Sequence, residues 1–147
     1  MTRSGLAIGI LGLCVGACDP GVHLGWEKDF SGKVDFECIQ SALKKVAPDV
    51  TRTSWSDPNN DEDGFPRGTQ VTQFNYSDPS AKGSYQLNVA RLPNGLTHYQ
   101  HKWGKLGTKI PAEEQKLVLP LLYKTNASVS RECGLNFDDV MPTIGDG

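Results

Sequence analysis

One segment, SYQLNVARLPNGLTHYQHKW at residues 84–103, constrains the fold more than any other because two alternating stretches flank a turn. Within the turn sequence LPNGL, Pro93 suits the second position of a type I turn, and Gly95 suits the left-handed residue of the bulge that follows. This turn pairs Leu92 with Leu96 and therefore predicts an antiparallel β-hairpin.

The register of the hairpin follows from its turn. One face then carries three pairs of mostly apolar residues: Tyr85 with Trp103, Leu87 with His101, and Val89 with Tyr99. The alternative, a two-residue turn at Asn94-Gly95, shifts the pairing by one residue and places Leu87 opposite Lys102. Because such a shift mixes the buried and exposed faces, the bulged turn is favoured.

A helix and two further strands are predicted ahead of the hairpin. The helix should span about 35–47, with Asp35 as N-cap, apolar residues at three- and four-residue spacing, and Pro48 ending it. Stretches rich in β-branched and aromatic residues at 50–56 and 69–77 predict strands. The sheet should therefore contain three or four antiparallel strands.

A second helix is predicted after the hairpin. It begins near Ile110, where a proline followed by two glutamates is typical of a helix start, and it ends at Gly134. Pro120 should kink this helix or split it in two. The residues that follow, 136–147, are expected to form a loosely ordered tail.

The N-terminal sequence combines one positive side chain, Arg3, with a ten-residue apolar run, Leu6–Val15. Such a run is too short to span a bilayer but suits the apolar region of a secretory signal peptide. The sequence VGAC at 15–18 then resembles the lipobox of bacterial lipoproteins. The resemblance implies cleavage before Cys18, which would carry a diacylglycerol thioether and become the first residue of the mature chain.

The resemblance also implies a location and a domain organisation. Residues 1–17 would be the signal peptide, and 18–33 the lipidated cysteine with a short tether to the domain. The chain would be anchored in a bacterial membrane and face the periplasm. Asp19 resembles the signal that retains enterobacterial lipoproteins in the inner membrane, so it favours the inner over the outer membrane.

The cysteines agree with this interpretation. Cys14 leaves with the signal peptide and Cys18 is consumed by the lipid, so Cys38 and Cys133 remain as an even pair in an oxidising compartment. We expect these two to form a disulfide. A metal site at the first two cysteines needs two further ligands, and His23 is the only candidate nearby, so it is disfavoured.

These elements predict an α+β fold over residues 34–135. It should be a two-layer sandwich in which an antiparallel sheet of three to four strands carries the N-terminal and C-terminal helices on one face. The expected disulfide between Cys38 and Cys133 would link those two helices.

Two histidines in the hairpin are candidates for chemistry. His98 and His101 are three residues apart, which on a helix could provide half of a metal site. On a strand the two side chains point to opposite faces, so they cannot share a metal ion. His101 is instead expected as an imidazole at the edge of the core beside Trp103.

An acidic loop is the other candidate. The sequence DPNNDEDG at 57–64 places side-chain oxygens at alternate positions, as at the start of a calcium-binding loop. Its sixth position is Glu62 rather than glycine, and its twelfth is Gly68 rather than glutamate. A solvated acidic turn is therefore favoured. No metal ligand and no cofactor are assigned.

The predicted hairpin also has a polar face, with two further amides expected beside it. Its residues are Gln86, Asn88, His98, Gln100 and Lys102, with Gln73 and Asn75 as the neighbours. Amide side chains offer both donors and acceptors, so this face is a candidate for binding a protein partner.

The leading hypothesis is a lipid-anchored envelope protein whose domain binds a protein or an envelope component, with an immunity or inhibitor protein as one specific form. The alternatives are a small periplasmic enzyme, with carboxylates or His101 in a cleft, and a purely structural lipoprotein. No common catalytic motif is present, which favours a non-enzyme. The net charge of −2 argues against nucleic-acid binding.

Overall fold

A computed structural model describes residues 21–56, 65–137 and 141–146 of the 147-residue chain. The order of the elements is β1 Gly21–Ser31, α1 Phe36–Lys44, β2 Thr51–Ser56, β3 Gln70–Tyr76, β4 Ser84–Arg91, β5 Leu96–Leu106, α2 Ala112–Cys133 and β6 Thr143–Asp146. The lipobox-like sequence at 15–18, the predicted signal peptide 1–17 and the acidic loop 57–64 lie outside the described residues.

The described strands form one antiparallel sheet with the order β2-β3-β4-β5-β1-β6. The predicted α+β class is therefore confirmed. The predicted number of three to four strands is wrong, since the sheet has six. The two additional strands, β1 and β6, come from segments that the sequence analysis assigned to the tether and to the tail.

Strand β1 shows why the tether prediction is wrong for residues 21–31. The strand pairs with β5 along its whole length of 11 residues, and alternate side chains, Val22, Leu24 and Trp26, are buried. Gly25 lies where β1 and β5 approach closely, and a Cβ at this position would lie only 2.1 Å from the carbonyl oxygen of His101. The glycine that suggested a flexible tether instead allows β1 to approach β5.

The C-terminal segment is also more ordered than predicted. Strand β6 pairs with residues 22–25 of β1 and extends the sheet by one strand. The ring of Phe137 contacts the rings of Phe30 and Tyr99, with centroid distances of 5.4 and 4.7 Å. The prediction of a loose tail is therefore wrong for 141–146 and for Phe137, while 138–140 and residue 147 lie outside the described residues.

The hairpin forms with the predicted turn and register. The three predicted pairs on the apolar face all occur, and their six side chains are fully buried. The backbone N–H of Leu92 donates to the carbonyl oxygen of Leu96 at 2.9 Å, and Gly95 has a φ of 87°. A positive φ is readily adopted by glycine, so this residue allows the bulged turn.

Helix α1 starts at the predicted N-cap but ends at Lys44, before the predicted end near residue 47, whereas α2 ends at Gly134 as predicted. Asp35 caps α1, since its Oδ1 accepts the N–H of Glu37 at 2.9 Å, and left-handed Gly134 ends α2. Helix α2 continues through Pro120 for 22 residues, so the predicted split does not occur. Among the described residues, no helix is both long enough and apolar enough to cross a membrane.

The two helices pack on the same face of the sheet and are joined covalently. Cys38 in α1 forms a disulfide with Cys133 at the end of α2, with a Cα–Cα distance of 5.8 Å. The main core lies between this helix pair and the sheet. Its largest fully buried side chains include Trp103, Tyr85, Tyr99, Phe74, Ile39, Leu43 and Leu122.

The disulfide generates a stability prediction. It closes a loop over a sequence separation of 95 residues, for which the chain-entropy model gives about 4–5 kcal/mol of stabilisation. Replacing both Cys38 and Cys133 with alanine should therefore lower the free energy of unfolding by about 2–5 kcal/mol, as measured by urea titration. The oxidised parent protein is the reference, and a loss below about 1 kcal/mol would contradict the prediction.

Candidate functional site

The sheet face opposite the helices, called here the open face, holds the polar residues singled out in the sequence. Strand register places Asn88 between Gln73 and Gln100, and Gln86 between Asn75 and Lys102. His98 lies on the same face beside Ala90. The predicted set is therefore brought together on one surface that spans β3, β4 and β5.

The amides of the open face are hydrogen-bonded to one another. The side-chain nitrogen of Asn88 donates to Oε1 of Gln100 at 3.2 Å and to Oε1 of Gln86 at 3.3 Å. The Nε2 of Gln73 donates to Oδ1 of Asn75 at 3.1 Å. Two of these hydrogen bonds run along a strand and the one to Gln100 joins β4 to β5, while Oδ1 of Asn88 is buried without a hydrogen-bond partner among the described residues.

An acidic border lies along β1 at one side of the open face. Asp29 contacts Nδ1 of His98 at 2.7 Å, and Glu27 accepts a hydrogen bond from Gln100. Both carboxylates were predicted to lie in the tether, so neither was expected on this face. The alternation of Val22, Leu24 and Trp26 with polar residues was the signal that could have identified them.

At the other side of the open face lies an exposed aromatic residue that the sequence analysis did not assign to it. Trp55 in β2 is 37% exposed and pairs with Val71, which in turn pairs with Ala90. Side chains at every second position of a strand share one face, so Trp55 lies on the same face of β2 as Thr51 and Thr53. This face could have been assigned once β2 was paired with β3. This side of the face combines an aromatic ring with uncharged hydroxyl and amide groups.

A shallow cleft of about 230 Å³ opens beside the acidic border. It lies where β6 stops pairing with β1, and its lining residues are His23, Gly25, Trp26, Glu27, Gln100, Lys102, Met141 and Thr143. Gln100 and Lys102 therefore belong both to the predicted polar face and to this cleft. The cleft gives the open face a concave end beside β1.

The second histidine, His101, lies in the core under α2 rather than at its edge. It is fully buried, its Nδ1 lies 2.6 Å from Oδ1 of Asn126, and its Nε2 lies 2.5 Å from the hydroxyl of Tyr76. Because an amide oxygen only accepts, Nδ1 carries the proton, and Nε2 accepts from Tyr76. Asn126 also accepts a hydrogen bond from the hydroxyl of Tyr99 at 2.9 Å.

Burial controls the protonation of this network. Desolvation lowers the pKa of His101 to about 4, partly opposed by its hydrogen bond with Asn126. Desolvation also raises the pKa of Tyr76 and of Tyr99 well above their ordinary value, so both hydroxyls stay protonated. His101 is therefore neutral near pH 7 and buried, which fits a structural role better than the catalytic role considered for it.

The two histidines lie on opposite faces of β5, as predicted, and do not share a site. Comparison with known proteins adds no family assignment: no protein-family model matches the chain, and no curated protein is significantly similar to it. The functional interpretation therefore depends on the residues and their geometry.

The buried imidazole predicts a pH dependence of stability. Its pKa is lower in the folded protein, about 4, than the ordinary value of 6.5, so the unfolded chain binds the proton more readily between these values. Stability is therefore retained above about pH 6.5 and falls by up to about 3 kcal/mol as the pH drops towards 4.

Urea titrations at about pH 7 and about pH 4.5 test this dependence. Replacing His101 with glutamine lowers stability near pH 7 but removes this part of the pH dependence, so the two proteins converge in acid. His98→Gln on the open face is the control. Because it retains His101, its free energy of unfolding should still differ between the two pH values. An unchanged pH dependence in the His101→Gln variant would show that another group is responsible.

Proposed function

We propose that this chain is a lipid-anchored lipoprotein of the bacterial cell envelope whose periplasm-facing domain binds a protein partner through the open face. An immunity or inhibitor protein, which blocks a toxin or hydrolase by covering it, is the specific form that we favour. The lipid anchor and the binding face are separate parts of this proposal, and each has its own support.

The anchor is supported by the lipobox-like sequence and by the cysteines. The disulfide between Cys38 and Cys133 suits an oxidising compartment such as the periplasm. Only Asp19 and Pro20 separate Cys18 from the first residue of β1. A fully extended chain of that length spans roughly 10 Å, so a lipid on Cys18 would hold the domain close to the membrane surface.

The binding role rests on one observation: the helices cover one face of the sheet, and the other face presents a broad surface of amides and hydroxyls with little charge away from the β1 border. Antiparallel sheets tolerate a solvated face. A face with hydrogen-bonded amides and an exposed tryptophan is better suited to binding a partner than to contact with solvent alone. Amides can pair with varied groups, and Trp55 supplies an aromatic anchor.

The adjacent edge of the sheet adds to this surface. Strand β2 is at one edge of the sheet formed by the described residues, and most of its side chains are exposed. The outer backbone groups of an edge strand can pair with a strand of another protein. A partner could therefore contact Trp55 with side chains and the backbone of β2 with a strand.

Lipidation is tested directly on the mature N-terminus. Expression in a bacterial host with a labelled fatty acid should label the wild-type chain and place it in the membrane fraction, and Cys18→Ser should abolish both. Cys38→Ser is the matched cysteine control and should remain labelled. A wild-type chain that is processed at another residue, or that carries no lipid, would refute the anchor.

Partner binding is tested by site-specific photo-crosslinking in native membranes. A crosslinking residue at position 86 on the open face should capture one protein of defined mass, whereas one at position 117, where Leu117 is 54% exposed on α2, should not. Trp55→Ala should weaken this complex by about 30-fold, as expected for an aromatic hot spot. Equal capture from both positions, or none from position 86, would contradict the open face as the binding surface.

A further inference from the structure

A second concave site lies on the helix side of the sheet and shares Trp26 and Met141 with the cleft at the end of the open face. It is a groove of about 420 Å³ between α2 and β1, within the size range of small-molecule sites. Its lining residues are Trp26, Tyr123, Asn126, Ala127, Ser130, Arg131, Phe137 and Met141. The five from α2 recur at helical spacing and form one wall, while the rings of Trp26 and Phe137 belong to other segments.

Asn126 is a lining residue of this groove and carries a buried hydrogen-bond donor. The residue is only 4% exposed, and its Oδ1 already accepts from Tyr99 and His101. The amide group is planar, so its Nδ2 points to a different side from that shared oxygen. This nitrogen is buried and has no hydrogen-bond partner among the described residues.

Trp26 lines the groove from β1 and carries a second buried donor. It is 5% exposed, and its ring lies 5.7 Å from the ring of His101 and 5.5 Å from the ring of Tyr123, measured between centroids. Its Nε1 is also buried without a hydrogen-bond partner within the described part of the chain. Buried donors in native proteins are nearly always paired, so two that belong to one groove indicate a missing acceptor.

The charge around the groove indicates what kind of acceptor fits. Arg131 lies at the rim with its side chain 68% exposed, and its Nε donates to Oε1 of Glu132 at 3.1 Å. That ion pair uses Nε, so the two terminal nitrogens of the guanidinium can still donate to a ligand. None of the lining residues within the described ranges is acidic. Two neutral donors and one cation favour an anionic acceptor over a neutral one, because hydrogen bonds to charged groups are the stronger. The rings of Tyr123 and Phe137 offer an apolar surface for the rest of the ligand.

We propose that this groove binds a small organic carboxylate with an apolar or aromatic body. The carboxylate accepts from Asn126 and Trp26 and lies near Arg131, and the body packs on the aromatic side chains. This chemistry occurs in a free arylalkanoic acid and equally at the C-terminus of a peptide that ends in an apolar residue. The site does not depend on the open face or on the lipid anchor.

The experiment uses the full chain, labelled with ¹⁵N, in detergent solution. The probes are 3-phenylpropanoate, its uncharged amide, the corresponding amine, and N-acetylglycyl-phenylalanine as the peptide source. We expect the carboxylate to shift the indole N–H signal of Trp26 and the side-chain NH₂ signals of Asn126, with a Kd of roughly 1–10 mM for so small a probe. The indole signals of Trp55 and Trp103 should not move.

The probe series separates the ligand chemistry and its source. The amide should bind about tenfold more weakly than the carboxylate, and the amine should leave both signals unchanged. Shifts with 3-phenylpropanoate show that a free acid suffices, whereas shifts with the peptide alone identify a chain terminus. Equal shifts with amine and carboxylate, or no shifts with any probe, would overturn the proposal.

Three variants test the named donors. Asn126→Asp keeps an oxygen that can accept from Tyr99 and His101 but replaces the free NH₂ with a carboxylate oxygen, so binding should fall at least about tenfold. Trp26→Phe keeps the apolar wall without the N–H, and Arg131→Gln removes the charge, so each should weaken binding several-fold. Asn88→Asp on the open face is the control and should bind normally, and unchanged binding in all of the first three would refute the site.

Discussion

The pairing of β1 with β5 is the interaction on which the rest of the structure depends. It joins eleven residues of each strand, fixes the position of β6, and places Trp26 over the core beside His101. It also sets the acidic side chains of β1 beside the amides of β5 on the open face. Without this ladder the sheet would end at β5, and neither the cleft nor the groove would have its second wall.

The polar network under α2 has a different role from the hydrophobic core around it. Hydrogen bonds from Tyr99 and His101 reach Asn126 on α2, so they specify the rotation and position of the helix over the sheet. Apolar side chains tolerate small sliding movements, whereas a buried amide with two fixed donors does not. The network therefore holds the amide of Asn126, a lining residue of the groove, in one orientation.

Local signals in the sequence predicted the hairpin, its register, both helices and the disulfide. The turn around Gly95 and the strict alternation beside it left one register that buries a single face. Strand β1 was missed because Gly25 and neighbouring charges resembled a tether, and its partner β5 lies far along the chain. Strand β6 was missed because four residues, Thr143–Asp146, carry too little pattern to distinguish a strand from a tail.

The candidate site was only partly predictable for the same reason. The polar residues of β4 and β5 could be assigned to one face from the hairpin alone, and the amides of β3 followed as its neighbours. Local alternation could assign Trp55, Glu27 and Asp29 to one side of their strands, but placing them on the open face required the pairing of β2 with β3 and of β1 with β5. The groove at Asn126 required the rotation of α2 relative to the sheet, which is decided by tertiary packing.

The disulfide also divides the chain in a way that matters under mechanical load. The covalent loop from Cys38 to Cys133 encloses β2, β3, β4 and β5, but it leaves β1 and β6 outside. A pulling force applied at the N-terminus would act first on the hydrogen bonds of β1. The extension of the chain would then stop at Cys38, where the disulfide begins. The domain can thus lose its first strand under tension while the polar amide surface stays covalently enclosed.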